Sequence, residues 1–185
     1  MKALRPLLAA GLLVIGVLAV IVLARMPRIS APPDDTPSGA PTPTATAGTI
    51  VLYFVADDGS LRREGREVPE VPAATPALIR LVLDELLTGS REGLTSPFPW
   101  ATNVQAVLVD DQGTAYVDLS PPPAEDPPTG SNVETTLVYA IVDSITANCR
   151  GIERVQLLFG GREIETLGHL DLSRPIAAGA DLVTP

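Results

Sequence analysis

NVQAVLVDDQGTAYVDLS (residues 103–120) reads as two short strands around a tight turn, and SNVETTLVYAIVDSITANC (residues 131–149) reads as a helix. The strands are Asn103–Val109 and Thr114–Leu119, and Asp110-Asp111-Gln112-Gly113 supplies the backbone angles the turn needs. In the second stretch Ser131 and Glu134 form a capping box, in which hydroxyl and carboxylate reciprocally satisfy free amides at a helix start. Val138, Ile141, Val142, Ile145 and Cys149 then fall on one stripe, and Gly151 stands just beyond as the stop. A hairpin followed by an amphipathic helix excludes an all-α or all-β domain and predicts the α+β class.

Working outward, TIVLYFVA (Thr49–Ala56) is β-branched and aromatic and stops at the turn signal Asp57-Asp58-Gly59, so it reads as a buried strand. Leu61–Pro69 is polar and reads as a short return strand on a sheet edge. Thr75 as N-cap and Pro76 at the first helical position open a second helix, which Gly89 closes. Its stripe is Leu78, Ile79, Val82, Leu83, Leu86 and Leu87, with Arg80, Asp84 and Glu85 outside. Val155–Phe159 and Arg162–Ile164 flank Gly160-Gly161, a two-residue hairpin signal. Together these elements predict a small mixed sheet of about four to six strands with the two amphipathic helices packed on one face.

The globular part, residues 49–185, is preceded by two segments of different character. LLAAGLLVIGVLAVIVLA (Leu7–Ala24) is apolar or small throughout, and at 1.5 Å per residue it spans about 27 Å of hydrocarbon. Residues 1–26 therefore read as a membrane anchor with a transmembrane helix over 7–24; the length favours a retained anchor over a cleaved signal peptide. Lys2 and Arg5 on one side face Arg25 and Arg28 on the other, so charge alone does not set the orientation. Residues 27–48 hold six prolines and twelve Ser, Thr, Ala or Gly residues without apolar periodicity, which predicts a disordered, extended linker. Such a tether suits export, with the C-terminal domain outside the cytoplasm in a single-pass arrangement.

The net charge of −9 is uneven: from residue 49 onward there are nine basic and twenty acidic side chains. A body that acidic repels phosphate backbones, so nucleic acid is not an expected partner. With one cysteine, Cys149, and one histidine, His169, the chain forms no intrachain disulfide and no zinc site from thiols and imidazoles. Cys149 reads as a small core residue. A triad of His169, Asp171 and Ser173 is disfavoured because alternate positions on one short segment do not converge on a single hydroxyl. Asp57/Asp58 and Asp110/Asp111 each precede a glycine turn, which explains them without acid–base work, and neither pair has EF-hand spacing for Ca²⁺. Asp118, Ser120, Asp171 and Ser173 close apolar strands; they either cap the next turn or face a partner, with capping the commoner use of these residue types. No cofactor is implied.

Four stretches in order resemble the GerMN family of sporulation and spore germination: VLYFV, the Leu83–Gly89 helix end, AYVDLS at 115–120, and VQLLFGGREIETLGHLDLSRP at 155–175. The likeness covers nearly all of residues 49–178, in one copy. It implies a small α+β module of the bacterial cell envelope that works without catalysis as a scaffold, with envelope or cell-wall-associated proteins as partners. A rival reading is a module that holds peptidoglycan for a separate hydrolase. The scarcity of aromatics (Trp100, Phe98, Tyr53, Tyr116, Tyr139) places it second.

Overall fold

The structure, a computed structural model, describes residues 46–122, 131–179 and 183–184. The anchor expected at 7–24 and most of the linker lie outside the described residues. Among those described, no helix is long and apolar enough to cross a membrane.

The chain opens with a hairpin, β1 (Thr46–Val55) and β2 (Leu61–Val71). Thr46 lies inside the stretch read as linker, so the strand starts before the boundary expected at residue 49. Ile50, Leu52 and Phe54 alternate inward and are buried, as the period of two requires. In the turn, Asp58 Oδ1 accepts hydrogen bonds from the Ser60 amide (3.0 Å) and hydroxyl (2.6 Å). β2 is flanked on both sides only at Leu61 and Arg62, where the short parallel strand β10 (Val183–Thr184) pairs with it; among the described residues the rest of β2 stands at the sheet edge, as expected.

Helix α1 (Thr75–Leu87) follows. Its N-cap is Ala74, without a side-chain cap, so Thr75 is the first helical residue; the Leu78 amide reaches the Ala74 carbonyl at 3.0 Å. Ile79, Val82, Leu83 and Leu86 are buried, which predicts about 2–5 kcal/mol for truncating either leucine to alanine. The hairpin β3 (Val104–Val109) and β4 (Thr114–Leu119) matches the sequence reading. Helix α2 (Ser131–Asn148) then crosses to β5 (Arg154–Phe159), which pairs parallel with β4. A parallel pair needs such a crossover, and a helix is its usual form.

Gly160 and Gly161, at φ 60° and 74°, turn the chain into β6 (Arg162–Glu163), the two-glycine hairpin expected. The ladder of β7 (Thr166–Leu167) and β8 (Leu170–Asp171) and the strand β9 (Ile176–Ala177), paired with β5, complete the described chain up to β10.

The class is α+β, but the single sheet expected is divided. β1-β2-β10 form one sheet, β3-β4-β5-β6 with β9 a second, and β7-β8 a separate ladder. Nor do the helices share one face of one sheet: α2 packs against both β1 and β5. The physical reason lies at the free side of β1. Val51 and Tyr53 pair with Gly65 and Arg63 at positions of the antiparallel ladder whose amides point away from β2. Asn148 Oδ1 accepts from the Val51 amide (2.9 Å) and its Nδ2 donates to the Val51 carbonyl (2.6 Å), while Ser144 Oγ accepts from the Tyr53 amide (3.0 Å). Four helical residues rise about 6 Å and two strand residues about 6.7 Å, so the two rows match. Side chains of α2 thus occupy bonding positions that a further strand would need.

Candidate functional site

β2 presents Glu64 and Arg66 toward the interior, both about 1% exposed. The Arg66 guanidinium bonds the Glu64 carboxylate, the Glu85 carbonyl (2.7 Å), the Glu85 carboxylate (3.2 Å) and the Gly89 carbonyl (2.7 Å). It lies 5.6 Å from the centre of the Phe54 ring. A cation at carbonyls left free by the end of α1 also complements the helix dipole. The Glu64 carboxylate accepts from the Ser90 hydroxyl (2.6 Å) and the Arg91 amide (3.1 Å), in the loop that follows that helix. Burial pushes the Glu64 carboxyl up, but the bonds from Ser90, Arg66 and Arg91 outweigh it and hold the group below its ordinary value. One strand therefore fixes both the end of α1 and the start of the loop that follows.

The polar residues singled out in the sequence serve local structure. Asp118 Oδ1 accepts from the Gly161 amide (2.9 Å), tying β4 to the β5–β6 turn. Ser120 Oγ accepts from the Asn103 amide (3.0 Å) at the opposite end of the β3–β4 hairpin from its turn. Asp171 Oδ1 accepts from the Ser173 amide (2.9 Å) and hydroxyl (2.6 Å), and those bonds, the hydroxyl's first, lower its pKa. Asp118 and Ser120 lie at the end of the β3–β4 hairpin, whereas Asp171 and Ser173 form a turn of their own after β8. His169 sits exposed in the β7–β8 turn, and the Ser173 hydroxyl is donated to Asp171 instead. Asp110 Oδ1 likewise receives the Thr114 amide (2.8 Å) in its turn. Cys149 is buried, which pushes its thiol up to about 11. Among the described residues no group of three His, Cys, Asp or Glu side chains is placed to hold a metal ion.

The burial of two carboxylates escaped the sequence reading. Asp143 Oδ1 accepts from the Gly179 amide (2.9 Å) while its Oδ2 has no partner among the described residues, and burial raises its pKa. The Glu134 carboxylate, expected to complete the capping box, lies directly under the Gly168 turn, and Oε2 has no partner among the described residues. α2 has Ser131 as its first helical residue, one position earlier than a Ser131 N-cap would place it. For Glu134, four residues before Val138, an in-phase acidic residue on an otherwise apolar stripe was the available signal; Asp143 lies off that stripe and offered none.

Two hollows are open on the surface. One, of about 420 Å³, is walled by Val55, Pro97, Phe98, Pro99 and the first turn of α2 at Asn132 and Val133. The other, of about 450 Å³, lies beside Gly48, Thr49, Glu67 and Pro69. Both have the size of small-ligand clefts.

Residues 51–165 match the model of the family Germane, described as sporulation and spore germination. No curated protein matches the chain in sequence. Among solved structures, the first GerMN domain of the sporulation protein GerM from Bacillus subtilis is similar at TM-score 0.51 and 19% identity, covering 70% of this chain and 94% of that one. The tandem GerMN domains of the same protein give TM-score 0.54 and 19% identity over 71% of this chain, which spans 46% of theirs. A protein described as a candidate lipoprotein from Clostridium perfringens gives TM-score 0.50 and 21% identity, over 71% of this chain and 88% of that one. At these identities the structures share the fold.

Proposed function

Since the chain belongs to the Germane family of sporulation and spore germination, we propose that it is a non-catalytic scaffold of the bacterial cell envelope. In this reading Leu7–Ala24 anchors it in the cell membrane and the domain stands outside the cytoplasm, gathering envelope or cell-wall-associated proteins. The observation that carries the proposal is the use of the candidate groups: Asp118, Ser120, Asp171 and Ser173 are all engaged in the chain's own turns. Open to a partner is apolar wall at the half-buried Phe98 and Val133, with large hydrophobic surface at Leu108, 68% exposed on β3.

The test is a pull-down from detergent-solubilised membranes with the full chain, followed by identification of stoichiometric partners. Loss of those partners on Phe98→Asp, with folding intact, supports the scaffold. Efficient turnover of any wall substrate by the purified chain overturns it. A second reading, peptidoglycan binding, rests on the Phe98 hollow having the volume of a small ligand. Co-sedimentation of the partnerless chain with isolated peptidoglycan selects it.

A further inference from the structure

The second sheet ends at β3, and among the described residues no strand pairs with the outer side of β3. The bonds around β4 fix which groups point outward there. The Gly113 and Leu119 carbonyls accept from Glu153 (2.9 Å) and Gly160 (2.9 Å) on the β5 side, and the Asp110 amide donates to the Thr114 carbonyl (3.0 Å) on the β3 side. Counting by twos from these bonds, Leu108 and Ala106 bond β4. Val107 and Val109, opposite Val117 and Ala115, turn their amides and carbonyls away from it. A bulge between Val104 and Ala106 breaks the alternation before them. The same period sets the side chains. Val107 and Val109 are half-buried against the core, and Leu108 stands on the other face, 68% exposed, opposite Tyr116 of β4.

Edge strands are ordinarily guarded by charge or proline. Residues 103–109 carry neither, in a domain with twenty acidic side chains, so two copies can meet here without opposing like charges. Laid antiparallel on a second β3 with a two-fold axis at Leu108, Val107 falls opposite Val109 of the partner subunit, and Val109 opposite Val107 of the partner subunit. An axis one residue earlier would set Val109 against the bulged Gln105 of the partner subunit. An axis one residue later would set Val107 against Asp111 of the partner subunit, in its turn. Only the axis at Leu108 matches every outward group with another. Asp110 then falls opposite Ala106 of the partner subunit, so no acid faces an acid.

We propose that a second copy of this chain docks on β3 in this way, as an isologous two-fold dimer. Val107 N–H donates to the Val109 carbonyl of the partner subunit and Val109 N–H to the Val107 carbonyl of the partner subunit, each twice by symmetry. On the open face the two Leu108 side chains meet at the axis and complete an apolar row of four, with a Tyr116 at either end. A contact of five residues per chain is small beside standard protein interfaces, so the dimer is weak and concentration-dependent. It occupies Leu108 and leaves the Phe98 hollow to other proteins. The inference needs neither the anchor nor any other protein, so it stands or falls apart from the scaffold reading.

The test uses the full chain in detergent micelles with an added cysteine and mild oxidation. Cys149 is buried, so the parent chain sets the background. Residues opposed as the two Leu108 would be stand about 4.5 Å apart at Cα, within disulfide reach. Leu108→Cys is expected to give a linked dimer, well above His169→Cys on the exposed β7–β8 turn. Adding Val109→Pro removes two of the four bonds between copies and none of the β3–β4 ladder, because the lost N–H points outward. Linking should then fall roughly tenfold, with circular dichroism unchanged. Leu108→Lys and Leu108→Glu give a second test without proline. Differently tagged copies should co-purify when the two variants are mixed, and not when either meets its own kind. The proposal is overturned if Leu108→Cys links no better than His169→Cys, if a folded Val109→Pro variant links as well as its parent, or if Leu108→Lys and Leu108→Glu co-purify no better mixed than alone.

Discussion

Replacing Asn148 by alanine tests whether α2 seals the edge of β1. The carboxamide spans both backbone groups of Val51, at 2.9 Å to the amide and 2.6 Å to the carbonyl. Its third bond, to the Ser144 carbonyl at 2.6 Å, is a local one within the helix and adds little. A net hydrogen bond contributes about 1 kcal/mol, and a group left dry costs about 1–3 kcal/mol. Val51 is only half-buried, so water can partly replace the amide, and the two losses together come to about 2–4 kcal/mol. Ser144→Ala removes one bond and should cost about 1 kcal/mol. Urea unfolding followed by fluorescence of Trp100, the single tryptophan, gives the stability. Hydrogen exchange supplies the local signature: the Val51 amide should lose protection in Asn148→Ala and the Tyr53 amide in Ser144→Ala. Asn148→Ala within 0.5 kcal/mol of the parent, about the scatter of a neutral surface substitution, would refute the edge-sealing argument.

Arg66→Met leaves the Glu64 carboxylate buried without its cation and should cost about 3–5 kcal/mol, whereas Glu64→Gln/Arg66→Met recovers much of the loss; equal unfolding midpoints for single and double variants would contradict this. For Asp143 the sign follows from its raised pKa: its contribution is complete below the ordinary value of 3.8 and is lost as pH rises through the folded-state value. Asp143→Asn keeps an Oδ1 acceptor for Gly179, so its stability relative to the parent should climb from about pH 4 to pH 8, and parallel curves would exclude the effect. Gly168→Ala meets both a φ of 57° and the Glu134 carboxylate beneath it, with about 1–2 kcal/mol from the backbone alone. Adding Glu134→Ala should relieve only the overlap, which thermal unfolding of the double variant would read.

The elements legible in the sequence were those that declare themselves by period or by turn chemistry. α1, α2, the β3–β4 hairpin and the Gly160-Gly161 turn all fall where apolar spacing and glycine placement put them. The Thr75-Pro76 signal was displaced by one position, because a cap is a matter of backbone angles at a single residue. Glu64 and Arg66 were not singled out within the polar stretch Leu61–Pro69, because charge is the usual mark of a surface. Their partners at Glu85, Gly89, Ser90 and Arg91 are supplied by a helix end and loop that no local pattern in β2 reveals. The Asp-Leu-Ser stretches at 118–120 and 171–173 show the same limit. Asp171 bonds Ser173 two residues on, as the spacing invites, whereas Asp118 reaches Gly161 across the sheet and Ser120 reaches Asn103.

The division into two sheets follows from the same distinction between local pattern and tertiary pairing. Within one hairpin, the β1 edge meets Ser144 and Asn148, neutral groups one helical turn apart that imitate the bonding of a strand without offering an edge of their own. The β2 edge meets two residues of β10 and is otherwise lined by Arg63 and Glu67. A neutral seal of fixed geometry closes the first edge to any strand. β10 at Leu61 and Arg62 and the charges beyond it guard the second. Placing a charge at position 148, as in Asn148→Asp, should therefore loosen α2 from β1, because the carboxylate cannot donate to the Val51 carbonyl that Asn148 now holds.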